Sequence, residues 1–233
     1  AGGCGSLTPR RTRPSQEATD VSTIALHLAP PRSRAMARAT FQVVCALAGS
    51  LLLAGLAQIA IHLPFTPVPI TGQTLGVLLI GAAYGPGLGM ATIGVYLAWA
   101  IAGLPVLAPL SDGSHPAGVE VLALAGTTGG YLWGFVLASG LVGWLSRRGW
   151  DRSIRSSISA MLLASIVIYA VGLPWLHQAL PAIVGAPVSW QATFEAGLYP
   201  FLIGDTVKLL LAAGLLPLAW RALRRLRPAD EEG

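Results

Sequence analysis

YLWGFVLASGLVGWLSRRGWDRSIRSSISAMLLASIVIYAVGL, residues 131–173, sets two apolar runs around a short basic centre. Arg147, Arg148, Arg152 and Arg155 crowd into that centre, and the flanking runs carry almost no charge. The same economy holds elsewhere. No Lys, Arg, Asp or Glu occurs from Ala39 to Ser111, nor from Ser156 to Phe194. Only 11% of the 233 residues are charged, against roughly 25% in a soluble domain. Mean hydropathy is +0.65. These values place the chain among membrane proteins.

Six apolar segments run through the chain, at about 40–63, 71–84, 86–104, 128–145, 158–180 and 197–223. Most reach the ~17–25 residues that a spanning helix needs. The second is short, bounded by LPFTPVPIT before and YGPG after. Arg32, Arg34 and Arg38 precede the first segment, the quoted group separates the fourth from the fifth, and Arg221, Arg224, Arg225 and Arg227 follow the sixth. The other connections at 1–2, 3–4 and 5–6 contain no Lys or Arg. Positive residues in short loops stay cytoplasmic. The pattern therefore predicts an all-α, polytopic membrane protein with six transmembrane helices and both termini in the cytoplasm. Residues 1–35, rich in Arg, Pro, Ser and Thr, read as a disordered or non-native extension. Residues 36–227 form the membrane domain and 228–233 a short cytoplasmic tail.

Polar residues inside these spans mark the candidate site. Lys208, the one lysine of the chain, follows Asp205 by three positions in LIGDTVKLLLAAG (202–214). With the sixth span starting near Gly197, the pair lies roughly 12–17 Å deep. Ionisable groups at such depth cost ~2.5–3.5 kcal/mol each and face the protein interior or a wet cavity. The i, i+3 spacing puts both on one helix face. A carboxylate only accepts hydrogen bonds and an ammonium only donates. Together they suit a ligand head with N–H groups beside a carbonyl, or they form a structural ion pair. Gln73 opens the second segment on the outer side, and GTTGGY (126–131) opens the fourth. Gly129 and Gly130 permit close backbone approach, with free amides that attract anions or carbonyls, and Tyr131 stacks on a ligand or anchors at the interface. The outer loops, one stiffened by Pro64, Pro67 and Pro69 and one carrying Asp112, His115 and Glu120, suggest a lid. A third, between spans five and six, carries Trp190 and Glu195. Ala46, Ser50 and Ala54, spaced by four, give the first helix a smooth face for packing within the chain or against a membrane partner.

Several function classes are excluded. The basic residues form no surface interleaved with aromatics, so nucleic acid is not a partner. GxxxxGK[ST], HExxH and GxSxG are absent, and only Asp205 lies within a span, too few for an aspartyl protease. Cys4 and Cys45 make neither a metal site nor a disulfide, and Cys45 reads as a packing residue. The chain is not an enzyme and needs no cofactor.

The runs AQIAIHLPFTPVPITGQTLGVLLIGAAYGPGLG (57–89), AGLPVL (102–107), GTTGGYLWGF (126–135) and PFLIGDTVKLLLA (200–212) resemble the BioY family, in order and spacing, from about Phe41 to Leu223. These are the biotin-specific substrate-binding components of energy-coupling factor transporters. The resemblance implies a six-helix protein of the plasma membrane that captures biotin from outside. Its implied partners are a transmembrane coupling protein, met through the small-residue face, and two cytoplasmic ATPases. Asp205 and Lys208 match the head-group contacts, Asp205 accepting from the ureido N–H groups and Lys208 donating to its oxygen. Gln73 and Tyr131 match positions near the pocket. Ser111, Asp112 and Ser114 are candidates for a polar contact from the 3–4 loop, of which Asp112 is the leading one. Leu132 stands where relatives can carry a basic residue, so amides at Gly129 and Gly130 are assigned to the ligand's carboxylate. The alternatives are the same architecture for another vitamin, and a structural subunit whose ion pair only fixes helix packing.

Overall fold

The structure, a computed structural model, describes residues 23–31, 34–122 and 126–226. The remainder of the extension at 1–22, Cys4, Arg32, Arg227 and the tail at 228–233 lie outside the described residues. The chain is helical: α1 (Ile24–Leu28), α2 (Ala35–Gln58), α3 (Gln73–Tyr84), α4 (Pro86–Ile101), α5 (Gly129–Ser146), α6 (Ile154–Val184), α7 (Trp190–Gly197) and α8 (Tyr199–Leu226). The apolar segments correspond to α2 to α6 and α8. Three of these, α2, α6 and α8 up to Leu223, are long and apolar enough to cross a membrane. The outward faces are apolar, with Ile203 80% exposed and Leu51 62% exposed, as contact with lipid requires.

α5 is the central helix, packed against α3, α4 and α6. Glycine permits this closeness. A Cβ on Gly143 would lie 2.5 Å from Gly85 C, 2.6 Å from Pro86 N and 2.7 Å from Gly81 O, all backbone atoms that have nowhere to go. Gly85 itself turns the chain between α3 and α4 with φ +81°, a conformation glycine adopts without strain. Such small-residue contact replaces the hydrophobic effect as the force between helices in lipid.

Three local features depart from the sequence reading. The first segment ends as a helix at Gln58, after which β1 (Ala60–Ile61) pairs antiparallel with β2 (Ile70–Thr71). The prolines between the strands, which lack an N–H, sit in the turn region where no ladder bond is needed. The 5–6 connection contains α7, started by the Ser189 hydroxyl accepting from the Ala192 N–H at 3.2 Å. Residues 23–31, read as part of a disordered or non-native extension, pack on the bundle, with Thr23 and Ala25 buried and the His27 ring edge-on to Trp220 at 5.7 Å. The apolar residues Ile24, Ala25 and Leu26 explain the docking, since they interrupt an otherwise polar stretch.

The described arginines gather at one end of the bundle. Arg38 and Arg147 flank one groove, and the Arg152 guanidinium lies 4.2 Å from the Trp220 ring centroid. There Asp151, 2% exposed, accepts from Trp220 Nε1 at 2.6 Å. Burial pushes the Asp151 carboxyl above the usual carboxylate range, against the opposing pull of the Trp220 bond and the Arg152 charge.

Two outcomes are expected. Gly143→Val will lower stability by about 1–3 kcal/mol through overpacking, read as a lower melting temperature in detergent, whereas Gly87→Ala, where nothing lies within 4 Å, will not. The second concerns pH. A carboxyl whose folded pKa is raised makes the folded state hold its proton longer, so stability falls as pH rises from the ordinary carboxylate pKa through the folded one. Asp151→Asn, which can still accept from Trp220, will flatten that fall in a melting-temperature series against pH.

Candidate functional site: a cavity beneath the hairpin

At the end opposite the arginines lies a cavity of about 420 Å³, within the ~300–1,000 Å³ typical of small-ligand sites. Its floor and walls come from α3, α5, α6 and α8. Its cover comes from the hairpin, at Pro67, Val68 and Pro69, and from residues 107–121 and 126–128. Carbonyl groups pin the cover down. Thr66 Oγ1 donates to Ala196 O at 2.5 Å, His62 Nε2 to Pro109 O at 2.8 Å, and Trp175 Nε1 to Gly126 O at 2.8 Å. Backbone N–H of Gly118 donates to Ala100 O at 2.8 Å, tying the loop to the end of α4.

Asp205 and Lys208 lie on the cavity wall as an ion pair, with Lys208 Nζ donating to Asp205 Oδ1 at 2.8 Å. Their side chains are only 13% and 14% exposed, respectively. Because α8 starts at Tyr199, the pair lies roughly 9–14 Å along it. Two further donors converge on the carboxylate: Thr74 Oγ1 of α3 on Oδ1 at 3.4 Å, and Tyr169 Oη of α6 on Oδ2. A carboxylate offers about four acceptor directions. Three are used here, so one remains on Oδ2, and the Lys208 ammonium keeps two of its N–H donors.

Gln73 and Tyr131 also line the cavity, but each is anchored first to the protein. Gln73 Nε2 donates to Tyr96 Oη at 2.7 Å, its Oε1 accepts from Thr71 Oγ1 at 2.9 Å, and Tyr96 Oη donates to Val106 O at 3.0 Å. Tyr131 Oη donates to Gly197 O at 2.9 Å, and its ring meets Tyr169 edge-on at 6.2 Å. Both side chains therefore have fixed rotamers, which suits a preformed pocket.

Other predicted residues stand elsewhere. Asp112 is exposed and off the cavity; its Oδ1 accepts from Ser114 N at 2.9 Å and Ser114 Oγ at 2.7 Å. These two bonds hold its carboxyl below the usual carboxylate range. Glu120 of the same loop lines the cavity in its place. Gly129 and Gly130 turn toward α6, where an added Cβ would stand 2.9 Å and 2.3 Å from Trp175. This close approach is to the Trp175 side chain and to the carbonyls of Val121 and Val171. The start of α5 still reaches the cavity through Thr127 and Thr128, and no side chain caps it. Ala46 and Ser50 are buried inside the chain on the side where α2 packs on α3 and α4, with Ala54 partly so; the exposed face of α2 carries Val43, Val44, Leu47 and Leu51.

Tyr169, Thr74 and Tyr96 escaped the sequence reading. A tyrosine in the apolar run IVIYAVGL (166–173) was the available signal for Tyr169, because a buried hydroxyl needs a partner.

A sequence model described as the BioY family matches residues 29–225. This chain belongs to the BioY family. Similar proteins include a probable biotin transporter of Pyrococcus horikoshii, 33% identical over 65% of this chain and 79% of that protein. A biotin transporter of Rhodobacter capsulatus is 34% identical over 70% of this chain and 82% of that protein. One from Rhizobium etli is 30% identical over 66% and 78%. Among solved structures, the S-component for biotin from an ECF-type ABC transporter shares the fold, with TM-score 0.64 and 23% identity over 85% of this chain and 96% of that one. BioY members are transport components, not enzymes.

The convergence on Asp205 has a measurable consequence. Lys208→Met leaves a nearly buried carboxylate without its counter-charge and will lower the melting temperature. Adding Asp205→Asn will restore much of it. A double-mutant cycle in detergent will give a coupling of about 1–3 kcal/mol, as for neighbours in one charged network.

Proposed function

We propose that this chain captures biotin at the membrane's outer face and delivers it to the cytoplasm, as the substrate-binding component of an energy-coupling factor transporter in the plasma membrane. In this reading the six apolar helices α2 to α6 and α8 all span the bilayer. The arginine end and both termini face the cytoplasm, by the positive-inside rule. The cavity then opens outward. A transmembrane coupling protein and two cytoplasmic ATPases supply the energy, since the sequence carries no P-loop of its own.

The observation that carries the reading is the spare hydrogen-bonding capacity of the Asp205–Lys208 pair. One acceptor direction on Asp205 and two N–H donors on Lys208 sit side by side on the cavity wall. Biotin's ureido ring presents an N–H beside a carbonyl, which is the complement. Phe135, Ile168 and Phe201 line the cavity with apolar surface for the valeryl chain. Burying about four methylenes there contributes about 3 kcal/mol. The carboxylate is assigned to the uncapped amide end of α5 at Thr127 and Thr128, where the helix dipole favours a negative charge. Leu132 beside it offers no charge, so backbone amides and the Thr127 and Thr128 hydroxyls have to do this.

Equilibrium binding of radiolabelled biotin to the detergent-purified chain tests the assignment. Each of Asp205→Asn and Lys208→Ala removes a charged hydrogen bond and will weaken binding about 10–100-fold while the protein stays monodisperse. Unchanged binding in both variants removes the site. Tight binding of a different vitamin and none of biotin selects another substrate for the same architecture.

A further inference from the structure

A second cavity, of about 500 Å³, lies at the arginine end between residues 25–29, α2 and α4. Its walls include Phe41, Val43, Leu88 and Ala91, and among the described residues no carboxylate lines it. Val43 is 57% exposed, so the groove opens on the outward, apolar surface of the bundle. Arg38 and Arg147 line it as well. Among the described residues neither guanidinium has a hydrogen bond or an ion pair, and the buried Nε of Arg147 has no acceptor. A buried N–H donor without an acceptor is costly, so the arrangement asks for an anion.

We infer that this groove holds an anionic phospholipid, its phosphate between Arg38 and Arg147 and an acyl chain along Phe41, Val43, Leu88 and Ala91. The charge decides between occupants. An apolar helix of a partner protein would cover the wall and leave both guanidinium groups unanswered. A free phosphate would answer them and leave the wall exposed. An amphiphile with an anionic head does both, and basic pockets between helices on the cytoplasmic side bind such heads. The inference rests on the arginine end lying at a headgroup layer. It does not rest on biotin, so loss of either leaves the other standing.

Native mass spectrometry of the full chain in detergent, with dioleoyl-phosphatidylglycerol against dioleoyl-phosphatidylcholine, tests it. Phosphatidylglycerol will be retained preferentially. Arg38→Gln and Arg147→Gln will each weaken that retention about fivefold. Ala91→Trp fills the groove and will weaken retention of both lipids. Arg148→Gln will change nothing, because that guanidinium lies 3.3 Å from the Trp144 ring centroid, off the groove. Should Arg147→Gln fail to fold, Arg38→Gln and Ala91→Trp carry the test. Equal retention of the two lipids, full retention in Ala91→Trp, or complete displacement by inorganic phosphate overturns the assignment. So does a coupling protein that shields a cysteine label at Ala91 while phosphatidylglycerol does not.

Discussion

The carboxylate of Asp205 is the constraint on which the rest depends. An anion inside an apolar bundle is tolerable only when its charge and lone pairs are answered nearby. Here the answers come from three helices: Lys208 on α8, Thr74 on α3 and Tyr169 on α6. Each donor fixes the rotation of its helix about its own axis. The bundle is therefore registered around one group, and the same group faces the cavity with capacity to spare. In the proposed function, stability and recognition draw on one carboxylate; a neutral, fully apolar wall could hold the helices together but could not select a polar head.

The glycines do complementary work at the other side of α5. Gly81 and Gly143 bring α3, α4 and α5 within backbone contact, while Gly130 and Gly134 let α6 lie against α5. Without that closeness the cavity walls would stand further apart, and Tyr169 would not reach Asp205. The cover has a different character. It is held by hydrogen bonds to carbonyls, from Thr66, His62, Trp175 and the Gly118 amide. Such bonds can be exchanged for water, so the cover can open more readily than the packed helices beneath it.

Much of the fold was legible because charge and hydropathy report where the chain meets water. The charge-free runs at 39–111 and 156–194 delimit helices whose observed ends fall within about five residues of the expected ones. Asp205 and Lys208 were legible for the same reason, as charges where water should be absent. What was not legible depends on tertiary neighbours. The two-residue strands of the hairpin exist because Ile70 and Thr71 pass beside Ala60 and Ile61, which no local pattern encodes. Asp112 and Glu120 occupy one loop, both exposed, and composition does not say which of them borders the cavity. Gly129 and Gly130 announce a close approach without naming its partner, which proved to be Trp175. Ala46 and Ser50 announce a smooth face, and α3 and α4 of the same chain lie on that side of α2.

The central claim is that the Asp205–Lys208 pair reads the ureido head while the α5 end meets the carboxylate. A structure of the chain with biotin bound measures this directly. The account predicts a ureido N–H within hydrogen-bond distance of Asp205 Oδ2, the ureido oxygen on Lys208 Nζ, and the carboxylate near Thr127 and Thr128. Biotin bound the other way round, with its carboxylate on Lys208 and its ring at the start of α5, would contradict it.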